Sequence, residues 1–269
     1  MNLKSEVKRL LLIPFDYFNI ICYYISGAYY RNKKNLLTMK GMGSGKRCFI
    51  VCNGPSLSVD DLNKLYSNKD YSIGINAIGR IYKDTKWRAN CLSATDDSVF
   101  TKKNRRLVQN TECDFKLYES RRYLQSLFGS GRKIYLTFYG GKKLLEHPEF
   151  KSDATKPLPS IGTSTFACIE FAVFLGFTKI CIIGCDMTYK YNLNRDGTIT
   201  VYENGRDYCF NDIPAATSSS NANPVPTWHM EVAFDTAESA SQKLGFKVYN
   251  ATRGGRLESF ERVDFDSLF

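Results

Sequence analysis

The chain has 269 residues, of which 43% are hydrophobic, so it is long enough to bury one large α/β core. Its net charge of +10 is concentrated in residues 1–47, which carry nine basic and two acidic side chains. The rest of the chain is almost balanced in charge, which argues against a nucleic-acid-binding protein. Nine cysteines without paired spacing and only two histidines indicate reduced core thiols and argue against a metal site of the zinc type.

Residues 1–46 are predicted to form a basic, aromatic-rich helical arm and linker. The run LLLIPFDYFNIICYYISGAYY is interrupted by Pro14, Asp16 and Asn19, so it lacks the ~18 uncharged apolar residues of a spanning helix. It also lacks the small-residue cleavage site of a signal peptide. Aromatic residues flanked by Lys and Arg favour an arm that lies on an anionic membrane surface, which predicts a cytoplasmic protein on the inner face of the cell membrane. An arm that packs on the body or on a partner subunit is the alternative.

Residues 47–269 are predicted to form a single Rossmann-like α/β domain with a doubly wound, mostly parallel sheet. In chain order, apolar runs predict strands at 48–53, 71–78, 88–96, 133–140, 179–186 and 246–252. Helical spacing predicts helices at 58–68, 164–177 and 229–245. A polar stretch at about 187–227 is too long for a simple connection and is interpreted as a lid that orders on a ligand. A disordered surface insertion is the alternative interpretation of that stretch.

Short polar residues follow several of these strands, at the edge where open parallel sheets bind ligands. The first strand runs into the turn Asn-Gly-Pro-Ser, where glycine lets backbone approach a ligand and the amides can hold phosphate oxygens. Thr163 and Ser164 open a buried helix, where an anion is favoured. The other candidate ligand-binding residues are Asn53, Gly54, Pro55, Ser56, Asn76, Asp96, Gly184, Cys185 and Asp186.

This ordered series resembles the bacterial sialyltransferases of glycosyltransferase family 42. It is also similar to a broader group that includes flagellin-glycosylation accessory proteins and a pterin diphosphokinase. The resemblance covers about residues 47–255 and leaves out the arm. It rests on Asn-Gly-Pro-Ser after one strand, an Asn after the next, a Thr-Ser pair thirteen residues before the Gly of Leu-Gly-Phe, a Gly-x-Asp and a single His at position 229.

The resemblance implies a GT-A-like variant of the fold and an inverting, metal-independent transfer without a cofactor. A sialic-acid-like sugar would pass from a CMP-sugar donor to a glycan or glycolipid acceptor in surface polysaccharide or glycoconjugate synthesis. His229 would take the acceptor's proton, since a neutral imidazole suits a general base near pH 7. Tyr189 and Tyr191 would bind the departing phosphate, with Tyr202 as a further candidate. His229 could instead only cap the last helix or pack against Trp228.

The sequence differs from the family after the third strand, where Thr95, Asp96 and Asp97 replace an Asn. An acidic group there would oppose the carboxylate of a sialic acid, which leaves the donor sugar open. Two other functions also stay open. One is a Mg²⁺-dependent diphosphokinase of the pterin type, which would use Asp96, Asp97 and Asp186. The other is a non-catalytic nucleotide-sugar-binding protein at the membrane, and a homo-oligomer is compatible with any of these functions.

Overall fold

A computed structural model describes residues 3–202, 207–210 and 224–269 of the chain. Its α-helices are α1 (Leu3–Ile25), α2 (Ala28–Met39), α3 (Val59–Ser67), α4 (Lys102–Asn110), α5 (Tyr123–Ser126), α6 (Lys143–Glu146), α7 (Ser164–Phe174) and α8 (Thr227–Leu244). Its strands are β1 (Arg47–Val51), β2 (Tyr71–Ile75), β3 (Cys91–Ala94), β4 (Phe115–Glu119), β5 (Arg132–Leu136), β6 (Phe138–Tyr139), β7 (Leu158–Pro159), β8 (Lys179–Ile183), β9 (Tyr191–Leu193), β10 (Ile199–Val201), β11 (Lys247–Asn250) and β12 (Glu261–Arg262). Short 3₁₀ helices cover Ile78–Lys83, Asp97–Phe100, Ser120–Arg122 and Asp266–Leu268.

The central sheet is parallel and has the strand order β12-β11-β8-β1-β2-β3-β4-β5. The chain runs outward from β1 to β5 and then returns to β8 on the other side of β1. The order of strands therefore reverses between β1 and β8, which is where open α/β sheets form a ligand crevice. The predicted Rossmann-like, doubly wound fold is confirmed, with β6–β7 and β9–β10 as separate small sheets.

Strand β1 is buried on both faces, as expected for a parallel strand covered by helices on each side. Cys48 and Ile50 belong to the core that contains α7 and α8 side chains. Phe49 and Val51, which alternate with them, belong to a second core that contains α3 side chains. This double burial explains why the strand is a continuous apolar run in the sequence.

The helices and strands that were predicted from the sequence differ from the observed ones mainly at their ends. Strand β2 ends at Ile75 because Asn76 has a left-handed backbone conformation, with φ of 51°. Helix α8 begins at Thr227, whose hydroxyl donates a 2.6 Å hydrogen bond to Asn192 Oδ1. The predicted start of this helix at residue 229 is therefore two residues too late, and His229 lies within the first turn.

The arm packs against the β5 edge of the sheet. The carboxamide of Asn32 accepts a 2.8 Å hydrogen bond from the Tyr135 backbone N–H and donates one of 2.8 Å to the Tyr135 carbonyl. Asn32 thus occupies the backbone N–H and carbonyl of Tyr135 that a neighbouring strand would otherwise pair with. Leu36 and Met39 on the same helix are buried in the core that contains the sheet residues Cys48 and Ile50.

Helix α1 also contacts the body. The Tyr23 ring is buried beside the rings of Tyr123 and Tyr135, with centroids 5.5 and 5.4 Å away. Asp16 forms a 2.8 Å ion pair with the buried Arg122. These contacts are those of the alternative in which the arm packs on the body. Among the described residues, no helix combines the length and the apolar character needed to cross a bilayer.

Candidate active site

A cavity of about 460 Å³ lies at the carboxyl ends of the strands that flank the switch between β1 and β8. Segments that follow β1, β2, β3 and β8 line it, together with the start of α7. The predicted ligand-binding residues that line it are Asn53, Gly54, Pro55, Asn76, Asp96, Thr163, Ser164, Gly184, Cys185 and Asp186. Residues that are distant in the chain therefore meet around one cavity because parallel strands end at the same edge of the sheet.

The turn after β1 crosses the end of β8 at close range. The Gly54 N–H donates a 2.7 Å hydrogen bond to the Gly184 carbonyl. A Cβ atom on residue 54 would lie 2.0 Å from Asp186 Oδ2 and 2.5 Å from the Gly184 oxygen. Glycine is needed here for this close approach, and Gly184 itself has a left-handed φ of 66°.

Asp186 holds this turn in place. Its Oδ2 accepts hydrogen bonds from the Ser56 hydroxyl at 2.9 Å and from the Ser56 N–H at 3.3 Å. Burial raises the pKa of the Asp186 carboxyl, while the Ser56 bonds act in the opposite direction. Ser56 is not among the described residues that line the cavity, so its contact with Asp186 gives it a positioning role.

Two buried side-chain oxygens on the cavity wall, Asn53 Oδ1 and Asn76 Oδ1, have no hydrogen-bond partner among the described residues. The Asn53 amide nitrogen donates a 3.0 Å bond to the Ile75 carbonyl, which fixes its side chain across the ends of β1 and β2. Buried acceptors of this kind are normally satisfied in native proteins. A ligand with N–H or O–H donors would satisfy both oxygens.

The amino-terminal end of α7 forms another part of the wall. Thr163 caps the helix, and its hydroxyl accepts a 3.2 Å hydrogen bond from the Thr165 N–H. Ser164 is the first helical residue and also lines the cavity. The free N–H groups and the dipole at the start of an α-helix favour an anion such as phosphate.

His229 stands beside the cavity and is not among the described residues that line it. A Cβ atom on Gly162, which does line the cavity, would lie 2.6 Å from the His229 Cβ, so the two residues are in contact. The His229 and Trp228 rings are 3.9 Å apart between centroids and nearly perpendicular. Partial burial lowers the pKa of His229, which keeps the imidazole neutral near pH 7.

The polar stretch interpreted as a lid, 187–227, lies partly outside the described residues. Its described part contains the β9–β10 hairpin and a segment whose Cys209 N–H donates a 2.8 Å bond to the Asn53 carbonyl. Tyr189 lines the cavity, and burial raises its pKa. Tyr191 does not line it, and the Tyr202 hydroxyl is bonded to Arg256.

The cavity is also lined by polar residues that sequence reasoning did not identify, among them Arg80, Asn104, Thr188, Asp207 and Tyr208. Arg80 donates a 3.3 Å hydrogen bond to Asn104 Oδ1 and lies in the 3₁₀ helix Ile78–Lys83, four residues after Asn76. Asp207 and Tyr208 lie in the polar stretch, where no periodic pattern indicates which side chains face inward.

No protein-family model matches the chain, and no curated protein matches it. Among solved structures, the chain is similar to a MAf glycosyltransferase from Magnetospirillum magneticum AMB-1, with a TM-score of 0.51 and 14% sequence identity. The match covers 90% of this chain and 39% of that chain. This chain therefore spans well under half the length of the protein that it matches. At such low identity the likeness supports a glycosyltransferase-like fold and does not single out family 42.

The cavity combines hydrogen-bond acceptors at one part of its wall with a helix start at another. It can therefore hold a ligand that carries both polar ring substituents and an anionic group. Among the described residues, no group of three or more His, Cys, Asp or Glu side chains is arranged to hold a metal ion. Asp96 and Asp207 both line the cavity, which also contains Arg80, so its charged groups are of both signs.

Proposed function

We propose that the protein is a glycosyltransferase that binds a nucleotide-sugar donor in the 460 Å³ cavity. The observation that carries this proposal concerns Asn53 and Asn76, whose amide oxygens have no partner among the described residues and line the same cavity as the start of α7. Base or sugar donors would satisfy the amides, and the phosphate would be favoured at the helix start. The fold likeness to a MAf glycosyltransferase supports the same class of reaction.

The donor is proposed to be a CMP-sugar with a sialic-acid-like sugar, and the acceptor a glycan or glycolipid. In an inverting transfer, the acceptor hydroxyl attacks the anomeric carbon while the bond from that carbon to the phosphate oxygen breaks. His229 takes the proton of the attacking hydroxyl, and CMP leaves with the electron pair. Tyr189 contributes a hydroxyl to the phosphate, together with the Ser164 N–H. The Thr163 N–H, also a candidate from the sequence, is instead bonded to the Ile161 carbonyl at 2.6 Å. The proposed reaction needs no metal ion.

The two alternatives have less support. A Mg²⁺-dependent phosphotransferase would need carboxylates free to bind the metal. Asp186 instead binds Ser56. Asp96 lines the cavity, and the side chain of Asp97 lies outside the described residues. Transfer that is abolished by EDTA and restored by Mg²⁺ would favour this alternative. A protein that binds nucleotide-sugars but never releases CMP in the presence of acceptors would favour the non-catalytic one.

The first prediction concerns the nucleotide. CMP or a CMP-sugar is expected to raise the melting temperature more than UDP, GDP or ATP does at equal concentration. A ligand present at 100 times its dissociation constant adds ~2.7 kcal/mol to the free energy of unfolding. A thermal-shift series with each nucleotide measures this difference. If UDP-sugars stabilise the protein and cytidine compounds do not, the CMP donor is wrong, while the fold assignment is unaffected.

The second prediction concerns the turn after β1. Gly54→Ala is expected to weaken CMP binding by about ten-fold or more, because the new Cβ would displace Asp186 and with it the cavity wall. Gly140→Ala is the matched control, since a Cβ there would meet only ordinary contacts with Ser160 at 3.6 and 3.8 Å. Calorimetric titration of both variants provides the comparison. Equal CMP affinity in the two variants would show that the turn does not shape the nucleotide site.

A further inference from the structure

In the part of α1 whose side chains are described, Asp16, Asn19 and Tyr23 face the body, while a row of large apolar side chains faces solvent, where an ordinary surface helix is polar. Asp16 pairs with Arg122, and Asn19 Oδ1 accepts a 3.0 Å hydrogen bond from the Leu124 N–H. The opposite side of the helix exposes large side chains spaced three and four residues apart. They are Tyr17 at 64%, Phe18 at 55%, Ile21 at 52%, Tyr24 at 45% and Ile25 at 82% exposure.

The exposed surface continues onto α2. Tyr30 and Leu37 are exposed on the side of α2 away from the β5 edge, with exposed fractions of 71% and 56%. Tyr29 links the two helices, because its ring lies 4.7 Å from that of Tyr24 and 5.3 Å from that of Tyr30. We use the term aromatic face for a set of residues on the two helices: Tyr17, Phe18, Ile21, Tyr24 and Ile25 of α1, and Tyr29, Tyr30 and Leu37 of α2. Contiguous exposed apolar surface of this kind marks an interaction site.

The charge of the arm indicates what covers this face. Arg31, Lys33 and Lys34 are exposed on α2, and residues 1–47 together carry a net charge of +7. A second copy of the chain would bring an equally basic arm against the first, and the two would repel. An anionic lipid surface would attract the same charge.

The composition of the face fits the headgroup layer of a bilayer. Tyrosine and phenylalanine rings are favoured at the boundary between water and hydrocarbon, where one end of the ring is apolar and the other is wet. No described helix is able to cross the membrane, so α1 would lie along it. We propose that the aromatic face docks the protein onto an anionic lipid surface while the polar side of α1 stays bonded to the body. This inference does not depend on the proposed glycosyl transfer.

The test is co-sedimentation of the full chain with phosphatidylcholine vesicles, with and without phosphatidylglycerol. The chain is expected to bind the anionic vesicles and to bind the neutral ones much less. Phe18→Gln/Ile25→Gln changes no charge. This variant is expected to bind the anionic vesicles about ten-fold more weakly or worse, because two apolar side chains no longer enter the interface of the bilayer. Lys33→Gln/Lys34→Gln is expected to weaken binding to anionic vesicles and to leave binding to neutral ones unchanged.

The matched control is Tyr66→Gln/Leu244→Gln, which removes two large side chains that are similarly exposed, at 52% and 54%, on other helices. Retained binding of this control, with wild-type melting temperatures for all variants, would support the proposal. Equal loss in the control and in the arm variant would overturn it. A different result would also overturn the proposal: the wild-type chain does not bind vesicles and sediments as a dimer, and Phe18→Gln/Ile25→Gln converts the dimer to a monomer. The aromatic face would then be a contact with a second copy of the chain.

Discussion

Replacing His229 with alanine is expected to reduce turnover by ~10²–10⁴ while nucleotide affinity stays near that of the wild type. The affinity is retained because the strand-end turns and the start of α7, rather than His229, line the cavity. The wild-type rate should fall as the pH drops below the imidazole pKa, which burial places below the ordinary 6.5. The measurements are CMP release in the presence of acceptor, the nucleotide dissociation constant and the melting temperature, on one preparation.

His147 provides the control, because it is the other histidine of the chain and is exposed at the end of α6. His147→Ala should keep both the rate and its pH profile. A folded His229→Ala protein that turns over at nearly the wild-type rate would rule out the general base. If His229→Ala instead lowers both the melting temperature and the nucleotide affinity, the ring supports the cavity wall at Gly162.

The free energy of unfolding is expected to fall with rising pH because of Glu170. This residue of α7 is fully buried, and burial raises the pKa of its carboxyl to about 9. The Lys151 N–H bonds to Oε1 at 2.8 Å, while Oε2 has no partner among the described residues. At pH values between the pKa of Glu170 in the unfolded chain and its pKa in the folded one, the native state carries a proton that the unfolded state has lost. Within this range each pH unit therefore lowers the free energy of unfolding by at most about 1.4 kcal/mol.

Glu170→Gln should remove this dependence, since the amide is neutral at every pH and its oxygen can accept the same Lys151 bond. Relative to the wild type, the variant should gain about 1 kcal/mol or more for each pH unit from pH 5 to pH 8. Urea unfolding at several pH values measures the difference. Glu146→Gln, at an exposed position in α6, should follow the wild-type curve. Parallel curves for wild type and Glu170→Gln would contradict the raised pKa.

The central strands of the fold could be predicted from the sequence because their burial is continuous. Strands β1 and β8 are apolar at every buried position, so each is a recognisable run. Strand β4 was not predicted, because it buries Lys116 and Glu119. The Lys116 ammonium is satisfied by the carbonyls of Gln109 and Ser130, at 2.6 and 2.8 Å. Such partners come from other segments and leave no periodic pattern in the strand itself.

The candidate site was predictable only where it lies at strand ends. Asn53 and Asn76 follow recognisable strands, and the shared edge of a parallel sheet brings them together. Arg80 and Tyr208 reach the same cavity from a 3₁₀ helix and from the polar stretch, whose geometry depends on tertiary contacts. The contact of His229 with Gly162 likewise depends on how α8 meets α7, which no local spacing specifies.

The pairing of Asn32 with Tyr135 bears on how the protein avoids self-association. An outer strand with free backbone groups is a template on which another chain can add a strand, and β5 would be such a strand. The Asn32 carboxamide fills the donor and the acceptor of Tyr135 at once, and the aromatic ring of Tyr23 packs beside it. A side chain, rather than a further strand, therefore ends the sheet. The same segment that carries the basic charge of the protein thereby protects its β-structure from edge-to-edge aggregation.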